Sequence, residues 1–332
     1  MEWDRGASIG SGTFASVHLA IPRAHQFPSP TVVKSADLFS SSTLKNEYDV
    51  LDRLGFCPQI IRCFGLDSTF ERGEEYYNLF LEYATAGSLA DNLKIRGGGL
   101  PEFEVRRYTK SIVEGLRHIH AKGFVHCDVK LANILLFENG DVKIADFGLA
   151  KKTGEKQSNC ELRGTPMCMS PESVNDNSYE SPVDIWALGC TVVEMVTGKP
   201  AWSFKEGSNI YNLLIRIGVG EELPEIPNEL CEEGKDFVRK CLVKDASKRW
   251  TAEMLLKHPF LANETVSANE ASTSPRCHFD FPDCDSTTST TSECNFDSSR
   301  YSSISSPADR LRQLLTNQTP NWLESDSWIC VR

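Results

Sequence analysis

At 332 residues, 40% apolar and 24% charged, the chain is long enough for two lobes with their own cores and too long for one small module. A net charge of −11 argues against nucleic acid or an anionic membrane surface as the main partner. The 12 cysteines include no C-x-x-C pair, so neither a zinc ribbon nor a disulfide framework is indicated, and a reducing compartment is expected.

The opening "MEWDRGASIG" lacks the basic-then-apolar pattern of a signal peptide, and the apolar run "DIWALGCTVVEMV" is too short for a membrane span. The expectation is therefore a soluble, intracellular protein with no membrane insertion, in the cytoplasm with nuclear access left open. Residues 3 to about 98 read as short strands plus one helix. "SVHLAI", "TVVKSA", "IIRCFGL" and "NLFLEYA" alternate or run apolar as strands do. "STLKNEYDVLDRL" has Leu44, Tyr48, Leu51 and Leu54 at helical spacing.

Beyond the "GGG" at 97–99 the character turns helical. "PEFEVRRYTKSIVEGLRHIHAKG" opens with proline and acids, carries Val105, Tyr108, Ile112, Leu116 and Ile119 on one face, and stops at Gly123. "SPVDIWALGCTVVEMVTG" is apolar nearly all round, which places it inside a lobe. From Leu261 to Arg332, 22 of 72 residues are Ser or Thr and apolar periodicity fades, so disorder is expected there. "SPADRLRQLL" could form a short helix from Ser306 and Pro307 with Leu311, Leu314 and Leu315 on one face, either on a partner or transiently. Trp322, Trp328 and Ile329 suggest docking onto the folded part or onto a tail-binding regulatory protein.

"IGSGTFASV" places Gly10 and Gly12 between strand-like flanks, where backbone N–H groups can approach phosphates; a plain hairpin turn explains the same glycines. Lys34 shares a strand face with Val32 and needs a partner if it points inward. Glu47, on the apolar side of its helix, answers it. In "GFVHCDVKLANILLF", Asp128 can accept a proton from a hydroxyl, Lys130 can neutralise phosphoryl charge, and Asn133 can hold a metal. "DVKIADFGLA" then delivers Asp146 at a strand end before Gly148, well placed for Mg²⁺. Each residue alone suits an ordinary polar loop; their order and spacing together point to phosphoryl transfer.

From about Trp3 to Phe260 the chain resembles a eukaryotic protein kinase: "GSGTFASV" matches the Gly-rich loop, Lys34 and Glu47 the family's ion pair, and "HCDVKLAN" the catalytic loop. "DFG" stands intact at 146–148, and "SPE" stands for A-P-E. The resemblance implies an α+β, bilobal kinase fold: a small antiparallel sheet lobe with hinge over 3–84, a larger helical lobe over 85–260, and a regulatory or docking tail over 261–332. It implies an ATP site on Ile9, Gly10, Ser11, Gly12, Thr13, Val17, Lys34, Glu82 and Ala84, with Leu81 as gatekeeper. Asp128, Lys130 and Asn133 would be catalytic, and Asn133 and Asp146 would bind Mg²⁺. Glu172 should pair with Arg249, Asp184 should brace the catalytic loop, and Leu51, Cys63, His126 and Phe147 should stack as a spine.

Lys130 and Thr165 resemble serine/threonine kinases. "GTPMCMSPE", "LKNEYDVLDRL" and "PQIIRCFG" are similar to the MAP kinase kinase kinases, with Cys168 and Ser170 standing where that family usually has Trp and Ala. The protein substrate implied is a MAP kinase kinase. Alternatives are a pseudokinase scaffold, against which the intact Lys34, Glu47, Asp128, Asn133 and Asp146 argue, and a non-RD kinase of immune receptor signalling. The latter is disfavoured by the "GTP" segment and by Glu2, which stands where myristoylation needs Gly.

Cys127 occupies the place of the arginine that in most kinases meets a phosphate on the activation loop. Cysteine cannot make that contact, which points to activity without the usual switch. A redox role for Cys127 is the weaker reading, because Asp128 next door should raise the thiol pKa. Thr153, Ser158 and Thr165 fall in the activation segment, with Thr165 expected to contact Asp128 and Lys130.

Overall fold

The computed structural model describes residues 2–11, 15–23, 30–38, 40–71, 73–155, 162–203 and 210–262. The expectations for the tail helix and for Trp322, Trp328 and Ile329 lie outside these residues, as do Gly12, Thr13 and Ser158.

The strand-like runs near the start pair into one antiparallel sheet. Its strands are β1 (Trp3–Ser11), β2 (Ser16–Pro22), β3 (Thr31–Asp37), β4 (Cys63–Glu71) and β5 (Glu74–Glu82), in the order β1-β2-β3-β5-β4. β3 runs apolar because both of its faces are covered. Val33 packs outward with Ala20 and Phe80 under Trp3, whose ring meets Phe80 edge-on at 5.3 Å. Val32 and Ala36 pack inward, on the face Lys34 shares. Register places Lys34 opposite Val17 and Leu79, and Val32 opposite Leu81. A slip of one residue would turn Lys34 out of the cleft.

One strand begins later than the sequence suggests. Ile60 and Ile61 are buried, but the Ile61 N–H donates to the Ile144 carbonyl at 2.9 Å and the Ile144 N–H to the Gln59 carbonyl at 2.8 Å. Their backbone is spent on the helical lobe, so β4 starts only at Cys63.

The helix between β3 and β4, α1 (Ser42–Leu54), buries Leu44, Glu47, Val50, Leu51 and Leu54. Tyr48, expected on that stripe, is only half-buried. The span before residue 98 holds a second helix, α2 (Leu89–Arg96), that apolar periodicity did not reveal. Its signal is a capping box: the Ser88 Oγ accepts from the Asp91 N–H and Asp91 accepts from the Ser88 N–H, both at 3.1 Å. Gly97 ends the helix at φ +71°.

The larger lobe is built on α3 (Glu102–Ala121), whose five expected apolar positions are all buried. It continues through β6 (Phe124–Val125), β7 (Ile134–Leu136), β8 (Val142–Ile144) and β9 (Lys151–Lys152), with β7 paired to β8 and β6 to β9. Then come α4 (Pro171–Asp176), α5 (Ser181–Thr197), α6 (Ile210–Gly218), α7 (Glu232–Cys241), α8 (Ala252–Leu255) and α9 (Pro259–Ala262). α5 is buried on almost every side, as its all-round apolar sequence requires. It crosses α7 at Gly189, where an added Cβ would stand 2.8 Å from the Cys241 Cβ and from the Leu242 Cδ2. Gly189→Ala is therefore expected to cost about 1–3 kcal/mol through overpacking, read as a lower urea midpoint at unchanged slope. Among the described residues no helix is long and apolar enough to cross a membrane.

Candidate active site

Between the sheet and the helical lobe lies a cavity of about 370 Å³. Ile9, Gly10, Val17, Lys34, Glu82, Ala84, Asn133 and Asp146, the residues the kinase resemblance points to, all line it. Ser11 ends β1, and only its backbone is described. Val32, Leu81 and Leu135 add apolar walls. Of these, Val32 shares the strand face of Lys34, and Leu135 is the wall that the sequence alone does not place at the site. Glu82 commits its carboxylate to Lys143, both oxygens at 2.7 Å, and its N–H to the Arg62 carbonyl.

Lys34 is fixed on two sides. Its Nζ lies 2.7 Å from Glu47 Oε2 and 2.9 Å from Asp146 Oδ1. Burial disfavours the ammonium, but the charges of Asp146 and Glu47 outweigh it and raise the Lys34 pKa well above its usual value. For Glu47, burial pushes the carboxyl up, against the pull of Lys34. Glu47 also accepts the Phe147 N–H at 3.2 Å, so one helix residue fixes both the strand lysine and the start of the activation segment.

The second half of the site is the stretch from 126 to 133. Asp184 is fully buried in α5 and accepts the main-chain N–H groups of His126 and Cys127, each at 2.9 Å. Burial alone would raise its pKa; the hydrogen bond and charge of His120, 2.8 Å away, bring it below the usual carboxylate value. The His126 Nδ1 accepts the Asp128 N–H at 3.2 Å. That assigns the proton to Nε2, which donates to the Ala145 carbonyl at 3.1 Å. The ring meets Phe147 edge-on at 4.8 Å, and Leu51 and Phe147 share one buried cluster against which Cys63 packs. The His126–Phe147 contact is the one within the expected spine that the structure shows directly.

On this support four polar side chains converge. Asp128 Oδ1 accepts the Thr165 hydroxyl at 2.7 Å, and Lys130 Nζ lies 2.8 Å from Thr165 Oγ1 and 3.0 Å from Asp128 Oδ2. The Asn133 amide donates to the Asp128 carbonyl and carboxylate at 2.8 and 3.1 Å. Asp146 follows β8 with φ +64°, a conformation rare for a side-chain-bearing residue and a mark of a constrained site. Among the described residues no group of three or more His, Cys, Asp or Glu side chains could hold a metal by itself. Asn133 and Asp146, lining one cavity, suit an ion that keeps phosphate and water ligands, which is the habit of Mg²⁺.

Farther out, Arg249 is bidentate on Glu172 at 2.6 and 3.0 Å and also donates to the carbonyls of Pro182, Val243 and Lys244. Ser170, one of the two departures in that segment, caps α4 by accepting the Ser173 N–H at 3.4 Å.

The model of the protein kinase domain matches residues 3–261. The chain is a protein kinase. It is 53% identical to mitogen-activated protein kinase kinase kinase 20 of Arabidopsis thaliana, with both chains covered in full. Against kinases 18 and 17 of that series in the same plant, identity is 43% and 41% over 80% of this chain and 78% and 70% of theirs. The chain thus belongs to the MAP kinase kinase kinase family of serine/threonine protein kinases, enzymes that generally use ATP and Mg²⁺.

In this kinase Cys127 is buried at φ +67°, its thiol directed to the Val125 carbonyl at 3.7 Å. The thiol pKa is raised well above its usual value by burial first and Asp184 second; Asp128, expected to raise it, does so by a smaller amount, its carboxylate being turned to Thr165 and Lys130. So little thiolate implies low reactivity. Mild peroxide should leave Cys127 unmodified in the folded kinase and modify it once the chain is unfolded in denaturant, as mass spectrometry of tryptic peptides would show.

Proposed function

We propose that this kinase transfers the terminal phosphoryl group of Mg-ATP to an activation-loop Ser or Thr of a MAP kinase kinase, and does so with no phosphate on its own activation segment. The observation that carries the proposal is the completeness of both halves of the site: a lysine held between Glu47 and Asp146, and Asp128 tied to Thr165, Lys130 and Asn133. Lys34 would hold phosphate oxygens, with Glu47 fixing its reach. Asp128 would take the proton of the attacking hydroxyl, and Lys130 would offset charge on the group in transfer. Mg²⁺, held by Asn133 and Asp146, would supply charge neutralisation on the phosphate oxygens.

The names of the full-length and partial relatives support the tier, and Cys127 supports freedom from the arginine–phosphate switch. The test is phosphorylation of a panel of kinase-dead MAP kinase kinases by phosphatase-treated wild type, with Lys34→Met as control. Phosphate on activation-loop Ser or Thr from wild type alone is the expected result. Phosphorylation of none of the panel, with activity on other proteins, would refute the tier; activity that appears only after autophosphorylation would refute the phosphate-free state.

A further inference from the structure

Without an arginine at 127, something else must hold the activation segment against the catalytic loop. The described parts of that segment are 146–155 and 162–170, and they are joined by contacts that involve no anion. The Arg163 guanidinium donates through Nη1 to the Leu149 carbonyl at 3.0 Å, linking the residue after the D-F-G motif to the residue before Gly164. The Arg163 main-chain N–H donates to the Tyr179 hydroxyl at 2.7 Å. Tyr179 is itself buried, in a small apolar cluster with Val125, Cys127 and Val183 against which Leu149 packs. The ring thus lies beside the small cysteine.

The next residue shows what this achieves. Gly164 has φ +94° and lies so close to the catalytic loop that an added Cβ would be 2.4 Å from the Cys127 carbonyl oxygen. Thr165 follows, with its hydroxyl on Asp128. The position of Thr165 therefore depends on the backbone two residues earlier, which Tyr179 and Arg163 hold.

We infer that Tyr179 and Arg163 form a phosphate-free clasp that takes over the positioning role of the missing arginine, closing the two ends of the activation segment on each other and setting Thr165 against Asp128. Both are positioning residues; neither lines the ATP cavity. The inference rests on the proposed phosphate-independent activity and adds the residues responsible for it. The clasp uses a hydroxyl and a carbonyl as acceptors, groups that no phosphatase removes.

Tyr179→Phe keeps the ring and deletes only the hydroxyl; Arg163→Ala removes the guanidinium and with it the link to Leu149, while keeping the main-chain N–H that meets Tyr179. In phosphatase-treated protein each is expected to lower kcat about tenfold, the scale of one such hydrogen bond, with KM for ATP within about twofold. Arg163→Lys, which can still donate to the carbonyl, should recover much of the loss. Hydrogen exchange should quicken at amides 149–155 and 162–165 and stay unchanged in α3 and α5. Wild-type kcat in both variants would overturn the clasp while leaving phosphate-independent activity standing. Losses of kcat matched by loss of ATP binding and faster exchange throughout the lobe would also overturn it, in favour of a purely structural role. Inactive phosphatase-treated wild type would defeat both readings together.

Discussion

Replacing Asp128 with asparagine is expected to lower kcat by about 10²–10⁴-fold, the usual worth of a positioned general base, with little change in KM for ATP. The substitution preserves shape, so an oxygen can still accept the Thr165 hydroxyl that Asp128 accepts at 2.7 Å. What disappears is the negative charge and the acceptor at Oδ2: the group can no longer take a proton, and Lys130 and Asn133 lose a carboxylate oxygen at 3.0 and 3.1 Å. Asp128 does not line the ATP cavity, which is why nucleotide binding should survive. Steady-state kinetics with both substrates varied would check this. A variant keeping more than a tenth of wild-type kcat would remove Asp128 from the role assigned to it.

The second large effect concerns stability. Glu172→Ala is expected to destabilise the helical lobe by about 3–5 kcal/mol, because it leaves a buried cation without its anion. The Arg249 side chain is 0% exposed and Glu172 13%, so water cannot replace the lost carboxylate. Three carbonyls would still accept from Arg249, but none carries a formal charge. Glu172→Gln, retaining one acceptor, should cost less. At about 2–4 °C per kcal/mol, the alanine variant should melt roughly 6–20 °C lower, measurable by calorimetry. Activity should fall with it, since Glu172 belongs to the same short stretch as Thr165 and Ser170. A melting temperature within about 2 °C of wild type would show that the pair is not what holds this segment, being less than 1 kcal/mol on that scale.

Much of the site was legible before any coordinates. Lys34 and Glu47 could be paired because each is a charge on the apolar side of its element, and a buried charge must be answered. The Asp128–Asn133 spacing and the glycine after Asp146 carried their chemistry in local order. α1, α3 and α5 followed from 3.6-residue periodicity or all-round apolarity. α2 escaped because eight residues with two buried leucines give almost no periodicity; only the Ser88–Asp91 cap and Gly97 announced it. The strand proposed at 60–66 began too early because apolar sequence cannot reveal that a backbone is already bonded elsewhere, here at Gln59 and Ile61 to Ile144.

Local order alone gives the chemical groups of this kinase: Lys34 and Glu47 on the apolar sides of their elements, Asp128 and Asn133 five residues apart, Asp146 before a glycine, and no arginine at 127. What stands near the arginine's place is visible in three dimensions alone. Tyr179 and Arg163 are 16 residues apart, and Leu149 is 14 from Arg163, and nothing in their spacing marks them as partners. They meet because α5 carries Asp184, Asp184 fixes the main chain at Cys127, and the small thiol leaves room for a tyrosine ring. Contacts of this kind depend on distance through space, which no local periodicity encodes.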